Sequence, residues 1–217
     1  DELAIEPEVF VQQQPYRCYS VDRFGNYIRS LSPLITTMAW IFLISYLIRE
    51  LVLERELHLD DVMRVMGLQP GVSSIVWFVI SLFVMTLASF SAVSLLWIGD
   101  LIPSSDPELL FLFLLLFNLS LIAFCYLMVS LFKTSTIAAC SGIVVYLVSF
   151  LPFMVAITLE NEMTLLHKIM TCLSMSTSFC FGMMYMTRFE VGGTGMQWKN
   201  LWHSPMSGDP MNIGIAM

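Results

Sequence analysis

The sequence predicts an all-α membrane protein built as a polytopic helical bundle. Residues 72–98 contain no charged side chain, and the uncharged stretches 109–132 and 134–159 follow closely. About 20 apolar residues are enough for a helix to cross the hydrocarbon core of a bilayer. The composition agrees, since 57% of the residues are hydrophobic and only 12% are charged. We therefore expect a transmembrane domain over residues 31–159 with four spans, of which these stretches are the last three.

The first predicted span, residues 31–48, is shorter and more polar than the others. It carries no charge, and Pro33 lies near its start, where proline is well tolerated. Residues 1–30 are mixed and polar, and we interpret them as the end of an exocytoplasmic domain. The sequence starts at Asp1 without the basic and apolar regions of a signal peptide. We therefore expect a segment of a longer polypeptide.

Residues 49–68 are densely charged and predict an amphipathic helix between the first two spans. Charged and polar side chains share one face and apolar ones another, namely Glu50, Glu54, His58 and Asp61 against Val52, Leu59, Val62 and Met66. Gly67 fits the left-handed position that follows a helix C-terminus. Because the polar face is mostly acidic, anionic lipid headgroups would repel it, and a protein partner is favoured over a membrane surface.

The basic residues predict the orientation of the bundle. The loop 99–108 contains three acids and no Lys or Arg, whereas four cations lie on the other side of the spans, namely Arg49, Arg55, Arg64 and Lys133. Because Lys and Arg accumulate in cytoplasmic loops, that second side is predicted to be cytoplasmic. Three arginines within the first 30 residues lie on the opposite side, so the rule is only partly obeyed.

Residues 160–187 predict an exocytoplasmic helical hairpin, either interfacial or re-entrant. The uncharged stretch 169–187 contains six Ser or Thr and five Met, which lowers the hydrophobic driving force for a fifth full span. Polar or small residues recur on one face, namely His167, Thr171, Ser174, Ser178 and Gly182. Residues 188–217 predict an exocytoplasmic loop, in which 213–217 would begin a truncated next span.

No catalytic or metal-binding motif occurs in the sequence. The three histidines are scattered, no phosphate-binding loop or nucleophile elbow is found, and the five cysteines lack zinc spacing. The spans contain no ionisable acid or base, which disfavours an ion-coupled transporter, and no basic cluster indicates nucleic-acid binding. We expect Asn118 to hydrogen-bond to neighbouring helices, at about 1 kcal/mol, rather than to bind a substrate. Small residues four apart allow close helix packing: Ala88 with Ala92, Ser135 with Ala139, and Ala138 with Gly142.

Several ordered stretches over about residues 31–205 resemble the first membrane half of A-subfamily ABC transporters. They are Glu54-Arg55-Glu56, Val62-Met63-Arg64-Val65-Met66-Gly67-Leu68, the span with Trp77, Ser105-Asp106-Pro107-Glu108-Leu109, Phe150-Leu151-Pro152-Phe153, and Phe189-Glu190 with Gly193, Gly195, Gln197 and Trp198. The resemblance is strongest to the phospholipid-exporting branch typified by the lamellar-body surfactant transporter. One departure is Leu57-His58-Leu59-Asp60-Asp61, which replaces a more basic run.

The resemblance implies a membrane portion of an ATP-driven transporter of phospholipid or sterol. Its partners would be membrane lipids, the second transmembrane half, and a nucleotide-binding domain of the same polypeptide that binds ATP and Mg²⁺. Matched position by position, the helix 49–68 would be the coupling helix, with coupling residues Glu54, Arg55, Glu56, Met63, Arg64, Gly67 and Leu68. The segment itself would hold no cofactor and catalyse nothing. Its membrane would be the plasma membrane or an endosomal or lysosomal one.

Two other functions stay open from the sequence. One is an ABC exporter of a non-lipid substrate. The other is a non-transporting tetraspan scaffold or receptor whose charged helix recruits a signalling protein. A phosphate-binding loop encoded beyond Met217 would separate the scaffold from a transporter, whereas transport assays are needed to separate the substrates.

Overall fold

The computed structural model of the protein describes residues 23–67, 69, 71–99, 104–159, 165–204 and 213–216. Regular structure in these ranges is helical: α1 (Arg23–Glu56), α2 (Leu59–Val65), α3 (Val72–Ile98), α4 (Pro107–Leu131), α5 (Ser135–Val148), α6 (Leu151–Thr158), α7 (Leu165–Thr171), α8 (Met175–Val191) and α9 (Ile213–Ala216). Four stretches are long and apolar enough to cross a membrane, namely Leu31–Glu56, Val72–Ile98, Pro107–Leu131 and Ser135–Thr158. The predicted four-span helical bundle is confirmed.

The centre of the bundle is held by Asn118, which is fully buried in α4. Its side-chain oxygen accepts a hydrogen bond from the indole nitrogen of Trp40 in α1 at 2.9 Å. Its amide nitrogen donates to the Met85 carbonyl at 3.0 Å and to the Ser89 hydroxyl at 2.6 Å, both in α3. The expected interhelical hydrogen bonds are therefore present, and they join three spans at one residue.

Small residues let α5 pack closely against α1. Ala138 and Gly142 are buried, and a Cβ at Gly142 would overlap the side chain of Ile48. Further along, the Tyr146 hydroxyl donates to the Thr37 carbonyl at 3.0 Å. On α3, Ala88 and Ala92 were predicted to pack closely. The buried residues of this helix are instead Ser81, Met85, Ser89 and Val93.

The predicted helix over 49–68 is divided in the structure. α1 continues past Arg49 to Glu56, and His58 then adopts a φ of 52°, which interrupts the helix before α2. Arg55 and Glu56 are hydrogen-bonded to other helices, so tertiary contacts fix the end of α1, and such contacts leave no periodic signal in the sequence. Gly67 has the predicted left-handed backbone, with a φ of 96°.

The predicted fourth span, 134–159, is also divided, into α5 and α6. Pro152 has no amide hydrogen to donate to the carbonyl of Val148, so the chain turns at Ser149. The start of α8 satisfies this turn, because the Ser149 carbonyl accepts hydrogen bonds from the hydroxyls of Ser174 at 2.7 Å and Thr177 at 3.1 Å. Hydroxyl side chains of the polar stretch 169–187 thus donate hydrogen bonds to a carbonyl at a helix break inside the bundle.

The predicted hairpin segment contains α7, a turn at residues 172–174, and α8. α8 extends to Val191, beyond the predicted end at 187, and it packs against α1, α4 and α6. Most of its residues are buried, and Gly182 lies directly against the ring of Phe113. The structure therefore contains two helices where the hairpin was predicted, while re-entry into the membrane stays a prediction.

Several predictions fall wholly or partly outside the described residues. These are the soluble character of residues 1–22, Leu68 at the end of the coupling segment, residues 100–103 of the acidic loop, residues 160–164 of the hairpin, and residues 205–212 of the final loop.

Candidate functional site

The candidate site begins with Glu54, which binds α1 to the start of α3. One carboxylate oxygen accepts a hydrogen bond from the Ser73 hydroxyl at 3.1 Å, and the other accepts one from the indole nitrogen of Trp77. Ser73 and Trp77 are four residues apart, so they lie on one face of α3. The carboxylate of a single residue therefore spans two successive turns of that helix.

Arg55 and Glu56 bind the ends of two further helices. The Arg55 guanidinium donates to the Val129 carbonyl at 2.8 Å, and Val129 lies in the last turn of α4, where carbonyls lack intrahelical partners. The Glu56 carboxylate accepts from the Ser135 amide at 2.9 Å, at the first residue of α5. The signs of the two charges fit the helix dipoles, since a cation meets a C-terminus and an anion meets an N-terminus.

These three consecutive residues form what we call the Glu-Arg-Glu clamp, defined as Glu54, Arg55 and Glu56. Through it, one turn of α1 is hydrogen-bonded to α3, α4 and α5. A displacement of the end of α1 must therefore move the other three helices or break a charge-assisted hydrogen bond, which is stronger than a neutral one.

The remaining predicted coupling residues lie on or after α2, outside the clamp. Met63 is partly buried, while Arg64 and Gly67 are exposed. Beside Arg64, α2 exposes large apolar side chains, including Val65 at 89% and Met66 at 76% of their surface. The structure thus separates the predicted set: Glu54, Arg55 and Glu56 at the end of α1 bind other helices, whereas Arg64 of α2 and the following Gly67 are exposed.

A second polar constellation lies at the opposite end of the bundle. Glu190, only 5% exposed at the end of α8, accepts hydrogen bonds from the Ser104 amide at 2.7 Å and the Ser105 hydroxyl at 2.6 Å. The Ser105 hydroxyl accepts from the Met196 amide at 2.8 Å, and the Met196 carbonyl accepts from the Asp106 amide at 2.9 Å. We call this group the Ser-Glu latch; it joins the segment before α4 to the one after α8.

The latch requires glycine at position 195. The φ of Gly195 is 62°, and a Cβ there would overlap the Ser104 carbonyl, so a side chain would push the two segments apart. Two sequence motifs thus form one structural unit, namely 105–109 and 189–198. They are 80 residues or more apart in the chain.

Sequence reasoning missed most partners of the predicted site residues. Ser73 and Trp77 carried a usable signal, because they occupy one face at the start of α3, close in the chain to the charged segment. Val129 and Ser135 contribute backbone atoms to the clamp, and backbone partners have no residue-type signal. Lys168, buried in α7, was also not anticipated.

Comparison with known proteins now identifies the family. The sequence model described as "ABC-2 family transporter protein" matches residues 12–211. The chain belongs to this family. It is thus a membrane domain of the ABC-2 type, in agreement with its four apolar spans.

The relatives of this ABC-2 domain include members of the A subfamily of ABC transporters. It is 34% identical over 210 residues to the human "Retinal-specific phospholipid-transporting ATPase ABCA4" and 31% identical over 209 residues to the human "Glucosylceramide transporter ABCA12". It is 31% identical over 217 residues to the human "ATP-binding cassette sub-family A member 2". These matches cover 96%, 96% and 98% of this chain, but only 9%, 8% and 9% of the relatives.

These relatives confirm the predicted resemblance to A-subfamily ABC transporters. The finer prediction, similarity to the lamellar-body branch in particular, stays a prediction, as do the roles of the seven coupling residues. Because the chain spans under a tenth of each relative's length, it corresponds to one part of such a transporter.

Proposed function

We propose that this ABC-2 domain is the membrane portion of an ATP-driven transporter of phospholipid or sterol. A nucleotide-binding domain elsewhere in the polypeptide would bind ATP and Mg²⁺ and supply the motion, and a second membrane half would complete the transporter. Two relatives whose names specify a phospholipid or a glucosylceramide support a lipid substrate. The apolar spans support it as well, because they offer an amphiphile an apolar surface, and the charged residues that they contain lie near the ends of two spans rather than along a path for an ion.

The division of the candidate site supports a two-part coupling device. The predicted coupling residues Met63, Arg64, Gly67 and Leu68 would contact the nucleotide-binding domain. Apolar side chains around Arg64 suit such a contact, since buried interface centres are apolar with arginine enriched. The Glu-Arg-Glu clamp would then transmit the displacement to α3, α4 and α5.

The clamp is the observation that carries this proposal. A helix that only anchored the protein would not need charge-assisted hydrogen bonds to three neighbours from one turn. Because α2 follows α1 after only two residues, a push on α2 reaches the clamp within a short length of chain. The helices would tilt together and change the surface along which a lipid moves.

Charge reversal on α2 tests the proposal in the full-length transporter. Arg64→Glu should lower lipid-stimulated ATP hydrolysis by about tenfold, as expected from a loss of roughly 1.4 kcal/mol of docking free energy. Membrane insertion should be unchanged, because Arg64 lies outside the four spans.

Lys199→Glu is the matched control, since it makes the same charge change at an exposed position that also lies outside the four spans. It should retain most of the stimulated activity. Equal effects of the two variants, or none from Arg64→Glu, would remove the basis for assigning α2 to coupling. Stimulation by a non-lipid compound alone would instead favour an exporter of another substrate.

A further inference from the structure

A groove of about 170 Å³ lies between α4 and the turn that joins α7 to α8. One wall is formed by Phe113, Leu116 and Ser120 of α4, and the other by Leu173, Met175 and Ser178. Neither the clamp nor the latch uses these side chains. The groove is therefore a separate feature of the fold.

Stacked aromatic rings form the back of the groove. The ring centroid of Phe179 lies 3.9 Å from the ring centroid of Phe117 and 5.2 Å from that of Phe113, and the ring planes are nearly parallel. Gly182 allows this stack, because a Cβ there would overlap Phe113. A rigid aromatic wall keeps the groove from closing by side-chain rearrangement.

The groove lies at the depth of the hydrocarbon core. Ser120 is thirteen residues after Pro107, or about 20 Å along α4 at the rise of an α-helix. A bilayer core is about 30 Å thick, so this point is well inside it. Leu116 and Leu173 are 40% and 88% exposed, which opens the groove to the surroundings of the bundle.

The lining is uncharged, with the hydroxyls of Ser120 and Ser178 beside apolar side chains, and it suits a neutral, chain-like occupant. Among the nine described residues that line the groove none is charged, and six are Phe, Leu or Met from both walls. A lipid headgroup with its charges would lose its hydration there without a partner, whereas a hydrocarbon chain loses nothing. The elongated wall along α4 fits a chain that runs parallel to the helix.

We propose that this groove binds one acyl chain of a phospholipid of the exocytoplasmic leaflet. The chain runs beside α4 from Phe113 to Ser120 and packs the α7–α8 turn against that helix. This inference rests on the membrane placement in the proposed function but not on ATP coupling, so each can fail alone.

Photochemical labelling of the full-length transporter tests the site. The protein is reconstituted in phosphatidylcholine vesicles that contain a small fraction of phosphatidylcholine with a diazirine near the middle of one acyl chain. After illumination, peptides are mapped by mass spectrometry. Segments 113–120 and 172–179 should be labelled several-fold more than residues 124–131 of the same helix.

Two matched variants separate the groove from ordinary lipid contact. Leu116→Trp fills the groove and should reduce labelling of 113–120 and 172–179 about tenfold. Leu119→Trp makes the same change at an exposed position of α4 that does not line the groove, and labelling should persist.

Uniform labelling along α4 in the unmodified protein would overturn the proposal, since it indicates annular lipid only. Labelling that Leu116→Trp leaves unchanged would do the same. A photoreactive amino acid at position 116 that crosslinks to the second membrane half would show that protein covers the groove. Lipid-independent ATP hydrolysis with intact groove labelling would refute the proposed function and leave this site standing.

Discussion

Glu190 illustrates at the residue scale how one carboxylate holds two distant segments together. Its oxygens accept from the Ser104 amide and the Ser105 hydroxyl, and Ser105 in turn accepts from Met196. Each donor finds an acceptor only because the carboxylate presents two oxygens without hydrogens. The latch therefore depends on two acceptor oxygens as well as on the size of this side chain.

Glu190→Gln should destabilise the latch. The amide group would aim a donor at Ser104 or Ser105, leaving a buried donor unsatisfied at a cost of about 1–3 kcal/mol. We expect faster proteolysis of residues 192–204 in the full-length protein and a lower unfolding temperature in detergent. Glu108→Gln, an exposed acid in the first turn of α4, should change neither, and equal effects of both variants would contradict the latch.

The role of a single residue could be predicted from the sequence where a polar side chain lies in an apolar stretch. Asn118 is conspicuous because it lies in an apolar span, and its interhelical role followed. Glu54 and Glu56 were singled out by resemblance, but their partners are an indole, a hydroxyl and a backbone amide in other helices. Such partners depend on the packing of the whole bundle, which no local pattern encodes.

At the element scale, the breaks in the helices were harder to predict than the helices themselves. Long apolar stretches located the spans, because burial in lipid requires many consecutive apolar residues. The break at Ser149 had a local cause in Pro152, whereas the break at His58 depends on contacts of Arg55 and Glu56. The extension of α8 to Val191 reflects packing inside the bundle, which its polar sequence concealed.

The positions of the two ends of α8 favour a re-entrant hairpin. Its first residues bind Ser149, which is fourteen residues or about 21 Å along α5 from Ser135. Its last residues bind Ser104 and Ser105, just before α4 begins. A chain that enters through α7 and leaves through α8 would return to the side from which it started.

Cysteine labelling tests this path in intact cells that express the full-length protein. With a re-entrant hairpin, His203→Cys should react with a membrane-impermeant maleimide without permeabilisation, because this exposed position follows α8 on the side that is predicted to be exocytoplasmic. His58→Cys, exposed between α1 and α2, should react only after permeabilisation. Labelling of both positions under the same condition, or in the reverse order, would exclude the proposed hairpin and orientation.

At the scale of the whole molecule, the clamp and the latch lie at opposite ends of the bundle. The clamp and α2 lie at the junction of α1 with the starts of α3 and α5 and the end of α4. The Ser-Glu latch lies at the other end of α4. A force applied at α2 and transmitted through the clamp would therefore move α4 while the latch restrains its far end, which favours tilting of that helix over translation.

Trp77→Phe tests whether the clamp transmits that force. The substitution keeps an aromatic ring but removes the indole donor to Glu54, while Ser73 still binds the same carboxylate. A hydrogen bond to a charged group contributes about 1.5–3 kcal/mol, so the junction of α1 and α3 should loosen without loss of the fold. We expect ATP hydrolysis by the full-length transporter to continue while the amount of lipid moved per ATP falls several-fold.

Trp97→Phe provides the matched control, because it makes the same substitution in the last turn of the same helix, at an exposed position away from the clamp. It should leave the ratio of lipid to ATP unchanged. If Trp77→Phe lowered hydrolysis and transport in equal proportion, the clamp would be part of the docking surface, because loss of docking removes stimulation and transport together. A lowered ratio in Trp77→Phe alone would place the clamp between docking and lipid movement, since only a transmitting contact can fail while hydrolysis continues.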